Sequence, residues 1–222
     1  ANSRDETPNR EVMSCTGCKT SVRQRALFNL VMQLVHGRSV TAAEAPPRKD
    51  ITVLGCSEGV NYTPVLGRLF AFTNTYYDRS PRLDLIDPAP EFHGSADIVI
   101  CSEVLEHVEP PVARAFYGLH TILKPGGAAI ITVPFDPYNP TVEHYPEARS
   151  ITVVERSGSR QVDWVDARGE THTDPEPVFH GGVGLTLEMR LFGLPSLLEG
   201  LRAAGFEAAV RHYQIPEYGI FW

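Results

Sequence analysis

Apolar residues at Leu27, Leu30, Val31, Leu34 and Val35 recur at helical spacing, which predicts an amphipathic helix ending near Gly37. The first dozen residues are polar and without period, as in a flexible arm. A linker with Pro46 and Pro47 follows, and beyond it short β-rich runs alternate with helical stretches. Ile51–Leu54 reads as a strand that leads into Gly55-Cys56-Ser57-Glu58-Gly59, after which Tyr62–Phe72 suits a helix. A second strand is expected at Thr73–Tyr77, stopping at Asp78. A third, Ile98–Cys101, is β-branched at nearly every position, as in a strand covered on both faces of a parallel sheet. Pro110 or Pro111 suits the first turn of a helix running to Leu123, with Gly126 and Gly127 closing it and Ala128–Val133 forming the next buried strand.

Strands alternating with helices imply right-handed βαβ units, hence an α/β fold with a doubly wound, mostly parallel sheet. Ligands of such sheets sit at the carboxyl ends of the strands. The loops after Leu54, Tyr77, Cys101 and Val133 are therefore the places to look for chemistry. After Pro134 the rhythm breaks: residues 135–184 are rich in Pro, Gly, His and charge, and Ile151–Glu155 with Gln161–Val165 flank Ser157 and Gly158 like a β-hairpin. This stretch reads as an insertion over the active-site face. A final helix, Pro195–Ala204, and an antiparallel strand pair, Ala208–Ile215 with Tyr218–Trp222, complete the expected order. The chain thus divides into an N-terminal arm and helix (1–45), a core (50–134), the insertion (135–184) and a C-terminal segment (185–222) of one domain.

A length of 222 residues with 42% hydrophobic residues suits a single α/β domain. The formal charge of -7 argues against a broad footprint on nucleic acid or an acidic membrane, and favours a small-molecule partner. No apolar run approaches the roughly 20 residues that cross a bilayer, and no secretory pattern stands at the N-terminus, so the expected compartment is the cytoplasm. Four cysteines, Cys15, Cys18, Cys56 and Cys101, are too few for a disulfide framework and are expected to be reduced. Cys15 and Cys18 form an isolated CxxC pair without a second pair to complete a zinc site, so no metal is expected.

A glycine turn between strand and helix lets a ligand approach the backbone and aims helix amides at its polar atoms, and Gly55 and Gly59 supply one. Nicotinamide enzymes share that feature. Asp78 can accept from both hydroxyls of a ribose and Asp84 from an adenine amino group, against the alternative that each is a solvated carboxylate. The run Ala96-Asp97-Ile-Val-Ile-Cys-Ser-Glu-Val-Leu-Glu-His-Val108, then Leu123-Lys-Pro-Gly-Gly127 and Val133-Pro134, resembles the class I S-adenosylmethionine-dependent methyltransferases of the small-molecule type. Leu201-Arg-Ala-Ala-Gly-Phe206 extends the likeness. Thr141-Val-Glu-His-Tyr-Pro146 and Phe179-His-Gly-Gly-Val-Gly-Leu-Thr-Leu-Glu-Met-Arg190 are similar to a bacterial subgroup sometimes found beside glycosyltransferases.

The resemblance implies S-adenosylmethionine as cofactor, with S-adenosylhomocysteine as product, and a small-molecule methyl acceptor. It implies that Gly55, Cys56, Ser57 and Gly59 surround the methionine part with Ser102 and Glu103 at its border, that Asp78 binds the ribose, and that Asp84 with Leu85 addresses adenine. The family usually carries an acidic residue two positions before the first glycine, where this chain has Val53, and a glycine where it has Ser57. The cofactor's amino group would then fall to another residue such as Glu103. Methyl transfer to a hydroxyl is helped by a base that titrates near neutrality, and of the eight histidines His144, beside Glu143, and His180, before Gly181 and Gly182, are the candidates. His107 reads instead as ordering its loop by hydrogen bonding. The competing functions are a non-catalytic binding module that kept the fold and a nicotinamide-dependent oxidoreductase, disfavoured because the turn lacks the full GxGxxG spacing.

Overall fold

Ser21 opens the first helix, α1 (Val22–His36), with a capping box: its hydroxyl accepts from the Gln24 amide at 3.3 Å and its own amide donates to the Gln24 side chain at 3.0 Å. Gly37 closes it in the left-handed conformation at φ 67°. The computed structural model describes residues 15–156, 158–180 and 186–210. The core follows as β1 (Arg48–Cys56), α2 (Thr63–Leu69), β2 (Phe70–Thr75), β3 (Ala96–Ser102), α3 (Ala113–Ile122) and β4 (Leu123–Thr132). These four strands form one parallel sheet in the order β2-β1-β3-β4. Val53, Ile98, Ile100 and Ile130 pack toward α1 and α2, while Leu54, Cys56, Val99 and Cys101 pack toward α3 and the C-terminal helix. Alternation along each strand thus buries both faces, the condition for a doubly wound sheet.

Two junctions differ from the sequence expectation. The α2 helix stops at Leu69 and the chain passes straight into β2, three residues ahead of the expected start at Thr73. Phe70 and Phe72 join the same apolar cluster, which requires the two-residue period of a strand, because a helix would set them on different faces. Likewise Leu123-Lys-Pro-Gly-Gly127 belongs to β4, where Ala96 faces Leu123 and Ile98 faces Ala128, so that the extra residues form a bulge. Gly126, at φ 76°, serves this bulge instead of capping the helix. Lys124 closes it by donating to Asp97 at 2.7 Å.

The expected insertion (135–184) carries β5 (Phe135–Asp136), β6 (Val142–Glu143), β7 (Ser150–Arg156), β8 (Ser159–Val165), β9 (Thr171–Asp174) and β10 (Phe179–His180); β11 (Thr186–Leu187) and β12 (Arg190–Gly193), beyond its expected end, pair back onto it, and α4 (Leu194–Ala203) follows. The expected hairpin is present as β7 and β8, and β9 extends it to a three-stranded meander. Tyr145, Val162, Leu187 and Met189 form its own small core. Of the expected C-terminal strand pair, residues 208–210 take no regular structure and the rest lies outside the described residues, as does the polar arm through residue 14. Among the described residues no helix is long and apolar enough to cross a membrane.

Two helical glycines separate packing from propensity. A Cβ on Gly118 of α3 would sit 1.8 Å from the Leu85 carbonyl, whereas one on Gly67 of α2 meets nothing within 4 Å. Gly118→Ala should lower stability by about 2 kcal/mol or more, and Gly67→Ala should raise it by about 0.5–1 kcal/mol. Urea unfolding of both variants checks the contrast, and a Gly118→Ala chain as stable as the parent would contradict the close approach.

Candidate active site

At the carboxyl edge of β1 the chain turns through Ser57, whose φ is 60° and whose amide donates to the Thr75 carbonyl at 2.8 Å. Asn74 clamps the next residue on both sides: its Oδ1 accepts from the Glu58 amide and its Nδ2 donates to the Glu58 carbonyl, each at 2.9 Å. The glycines here are required by the protein itself. A Cβ on Gly55 would lie 2.8 Å from Glu58 Cγ and 2.9 Å from Asn74 Oδ1, and one on Gly59 would lie 2.6 Å from Gln24 Nε2. This packing turns the Glu58 carboxyl inward, where Tyr62 donates to one oxygen and the other, buried, has no hydrogen-bond partner among the described residues. Arg23, on the first turn of α1, donates to the Ser102 hydroxyl at 2.5 Å, and its charge also acts on Glu58. Burial pushes the Glu58 carboxyl up to about 7, against the opposing pull of Tyr62 and Arg23.

A second group of titratable residues lies where the insertion meets the loop after β3. Leu187 and Met189 enter the insertion's core, and Glu188 between them accepts from Nε2 of His144 at 2.9 Å and pairs with Nε2 of His180 at 2.7 Å. The Met189 amide donates to the Glu106 carbonyl at 2.8 Å, and Arg190 donates through Nη1 to the Leu105 carbonyl at 2.7 Å. His107 donates through Nδ1 to the Leu187 carbonyl at 2.7 Å, the loop-ordering role expected of it, and its ring meets that of His180 edge to face. Glu106 is fully buried. Desolvation first, then the neighbouring charges of Glu103 and Glu188, push its carboxyl up to about 8.

The residues expected to form the site are therefore distributed unevenly. Gly55, Cys56, Ser57 and Gly59 lie together at the tip of β1, and Ser102 and Glu103 end the adjacent β3, with Glu103 at φ 54° and its amide donating to the Thr132 carbonyl. Asp78 stands three residues beyond β2 with an exposed carboxylate 4.0 Å from Arg79. Asp84 accepts from the Ile86 amide at 3.1 Å in an Asx turn, beside the buried Leu85. His144 and His180, far apart in sequence, meet on one carboxylate. Sequence reasoning passed over Glu188 and Arg190, although both close the motif ending at Arg190, and over Glu58 inside the glycine turn. Arg23, at the start of the first helix, reads in the sequence as a solvated arginine by default and as a contact to a cofactor carboxylate if that helix covers the site, and the docking of α1 brings it to the sheet edge.

A family model described as "Methyltransferase domain" matches residues 23–175, and the chain belongs to that family. The class I methyltransferase resemblance holds. No curated protein sequence matches. Among solved structures, the chain is similar to 1,6-didemethyltoxoflavin-N1-methyltransferase of Burkholderia thailandensis, crystallised with S-adenosylhomocysteine, at 16% identity over 85% of this chain and 68% of that one, with a TM-score of 0.44. It is also similar to the glycopeptide N-methyltransferase MtfA complexed with S-adenosylmethionine, at 13% identity over 74% and 79% of the two chains and a TM-score of 0.41. The [4+2]-cyclase SpnF matches at 18% identity over 84% of this chain, which spans 59% of SpnF, with a TM-score of 0.43.

S-adenosylmethionine is the cofactor that the family implies, and the tip of β1 can be tested against it. The amino-acid end of that molecule carries one ammonium and one carboxylate. The unpartnered, buried Glu58 oxygen and the Arg23 guanidinium are complementary to them, so the residues present fit the group at this end. Between pH about 4.5 and 7 the folded chain keeps a proton at Glu58 that the unfolded chain has released, so stability falls as pH rises through that window. Glu58→Gln should remove Glu58's share of this slope, leaving the share of Glu106, without changing the slope below pH about 4.5, as measured by chemical unfolding at a series of pH values. An unchanged profile would place Glu58 in a hydrated position.

Proposed function

We propose that the chain methylates an oxygen atom of a small hydroxylated molecule such as a sugar or a secondary metabolite. The observation that carries this reading is the pair His144 and His180 held by one carboxylate beside the loop that ends β3. S-adenosylmethionine, when bound, supplies an electrophilic methyl carbon. The protein's part is to hold both reactants in line and to receive the hydroxyl proton. Glu58 faces the cofactor ammonium and Arg23 its carboxylate, with Ser57, Ser102 and Glu103 bordering the methionine part. Asp78 is assigned to the ribose and Asp84 with Leu85 to adenine, which the position of both on the loop after β2 supports. In each histidine, Nε2–H donates to Glu188 and orients the ring, leaving the Nδ1 lone pair to take the proton. The insertion, which carries both histidines, selects the acceptor.

Calorimetric titration tests the cofactor half: S-adenosylhomocysteine should bind saturably, NAD should not, and Asp78→Ala or Glu58→Gln should weaken binding about tenfold or more. Saturable binding of NAD alone would make the chain an oxidoreductase, and binding of neither would make it a non-catalytic module. Screening hydroxylated metabolites for S-adenosylhomocysteine production tests the acceptor half. His144→Ala and His180→Ala should then lower turnover by about 100-fold or more while cofactor affinity stays within about threefold. Two variants that turn over the acceptor like the parent would remove both histidines from the reaction.

A further inference from the structure

The carboxylate of Glu106 is fully buried, yet among the described residues neither of its oxygens receives a hydrogen bond from another residue. Nε2 of His107 lies 3.8 Å from its Oε1, beyond hydrogen-bonding distance. That nitrogen has no proton to give. Nδ1 of the same ring donates to the Leu187 carbonyl, which fixes the tautomer and turns the Nε2 lone pair toward the carboxylate. A carboxyl oxygen and an imidazole lone pair thus face each other in a buried place. His180 joins them, so that one ligand atom each from Glu106, His107 and His180 lies within 4.8 Å of the others. Its Nε2 is taken up by Glu188, which leaves the second ring nitrogen as the donor.

We propose that Glu106, His107 and His180 bind one divalent transition-metal ion, with Zn2+ as the ion whose coordination they match. Two imidazoles and one carboxylate form the three-ligand set of open zinc sites, and a tetrahedral ion with bonds near 2.1 Å spaces its ligand atoms at about 3.4 Å. The 3.8 Å separation of Glu106 from His107 needs only a few tenths of an ångström of contraction. Both rings are oriented as metal-bound histidines are, one by a backbone carbonyl and one by a carboxylate. A cation also resolves what the polypeptide leaves unresolved, a buried acid with no donor. The other cluster of this kind, Asp166, Glu170 and His172, needs no ion, because Asp166 accepts from the Arg168 and Glu170 amides and from His172. The site stands on its own geometry, while its place in catalysis rests on the methyl-transfer reading above. There His180 would serve as ligand and the ion would supply a Lewis acid beside the acceptor, leaving His144 to receive the proton.

The test uses the whole chain, freed of metal with a chelator and titrated with ZnCl2 by calorimetry and with CoCl2 by visible absorption. One ion per chain is expected, with a cobalt spectrum lacking the near-ultraviolet thiolate charge-transfer band. Glu106→Gln and His180→Ala should each weaken binding at least tenfold. The Cys15→Ser/Cys18→Ser double variant and His172→Ala should bind as the parent does. Absence of a stoichiometric ion overturns the site, and so does binding that survives Glu106→Gln but is lost in the cysteine or His172 variants. S-adenosylhomocysteine affinity and the melting midpoint, measured on every variant, separate a lost ligand from a lost fold. Should Glu106→Gln not fold, the half-exposed His180 decides. A chain that binds S-adenosylhomocysteine but no ion sinks this site and leaves the methyl-transfer reading standing, and the reverse result does the opposite.

Discussion

One buried cation holds the insertion to the core. Arg190 is completely inaccessible to solvent, and its guanidinium joins two other segments to its own strand: it donates to Glu143 of β6 through Nε and to the Leu105 carbonyl through Nη1, with the Phe192 ring of the same strand 5.9 Å away. Burying a charge is costly unless it is paired and hydrogen-bonded, so the guanidinium admits few other arrangements of its neighbours. Those neighbours flank the chemistry. His144 follows Glu143, Glu188 lies two residues before Arg190, and His107 lies two residues after Leu105. Through this single side chain the folding of a peripheral insertion becomes the placement of histidines at the end of a core strand. The parallel pairing of β12 with β5 and its antiparallel pairing with β6 complete the attachment.

The turn after β1 follows a similar logic by different means. In the family an acidic residue precedes the first glycine by two positions, but here that position is Val53, which is fully buried and packs against α1 and α2. An acid there would face the apolar layer of helices. The turn instead carries its acid at Glu58, three residues after Gly55, and uses the missing side chains of Gly55 and Gly59 to admit Glu58 and Gln24. The substitution of Ser for the middle glycine is accommodated by the left-handed conformation of Ser57.

The parallel core was legible in the sequence because a strand buried on both faces must be apolar and branched at every position, and Ile98–Cys101 shows that directly. The β7–β8 hairpin was legible from alternation around Ser157 and Gly158. The junctions were not. A helix that passes into a strand without a loop carries no punctuation, so Phe70 and the Lys124-Pro-Gly-Gly127 bulge read as helix continuation and helix stop. In the site, the histidines carried a signal in their own chemistry and in their motifs. Glu188 and Glu106 did not, because a carboxylate on a strand edge or in a short loop reads as solvated until long-range packing removes the water.

Buried acids without partners destabilise a fold, and such places mark where function has been kept against stability. Two buried acids that keep at least one carboxylate oxygen unpartnered among the described residues bound the short loop that follows β3. Glu58 lies at its start, by Ser102, and Glu106 stands near its end, immediately before His107. The loop between them is held by the Glu103 amide on β4 and by the Met189 amide on the insertion. The core therefore grips one end of this loop and the insertion grips the other. On the methyl-transfer reading proposed above, a cofactor amino acid at the Ser102 end and an acceptor at the His107 end would be kept apart by a few residues of backbone held at both ends.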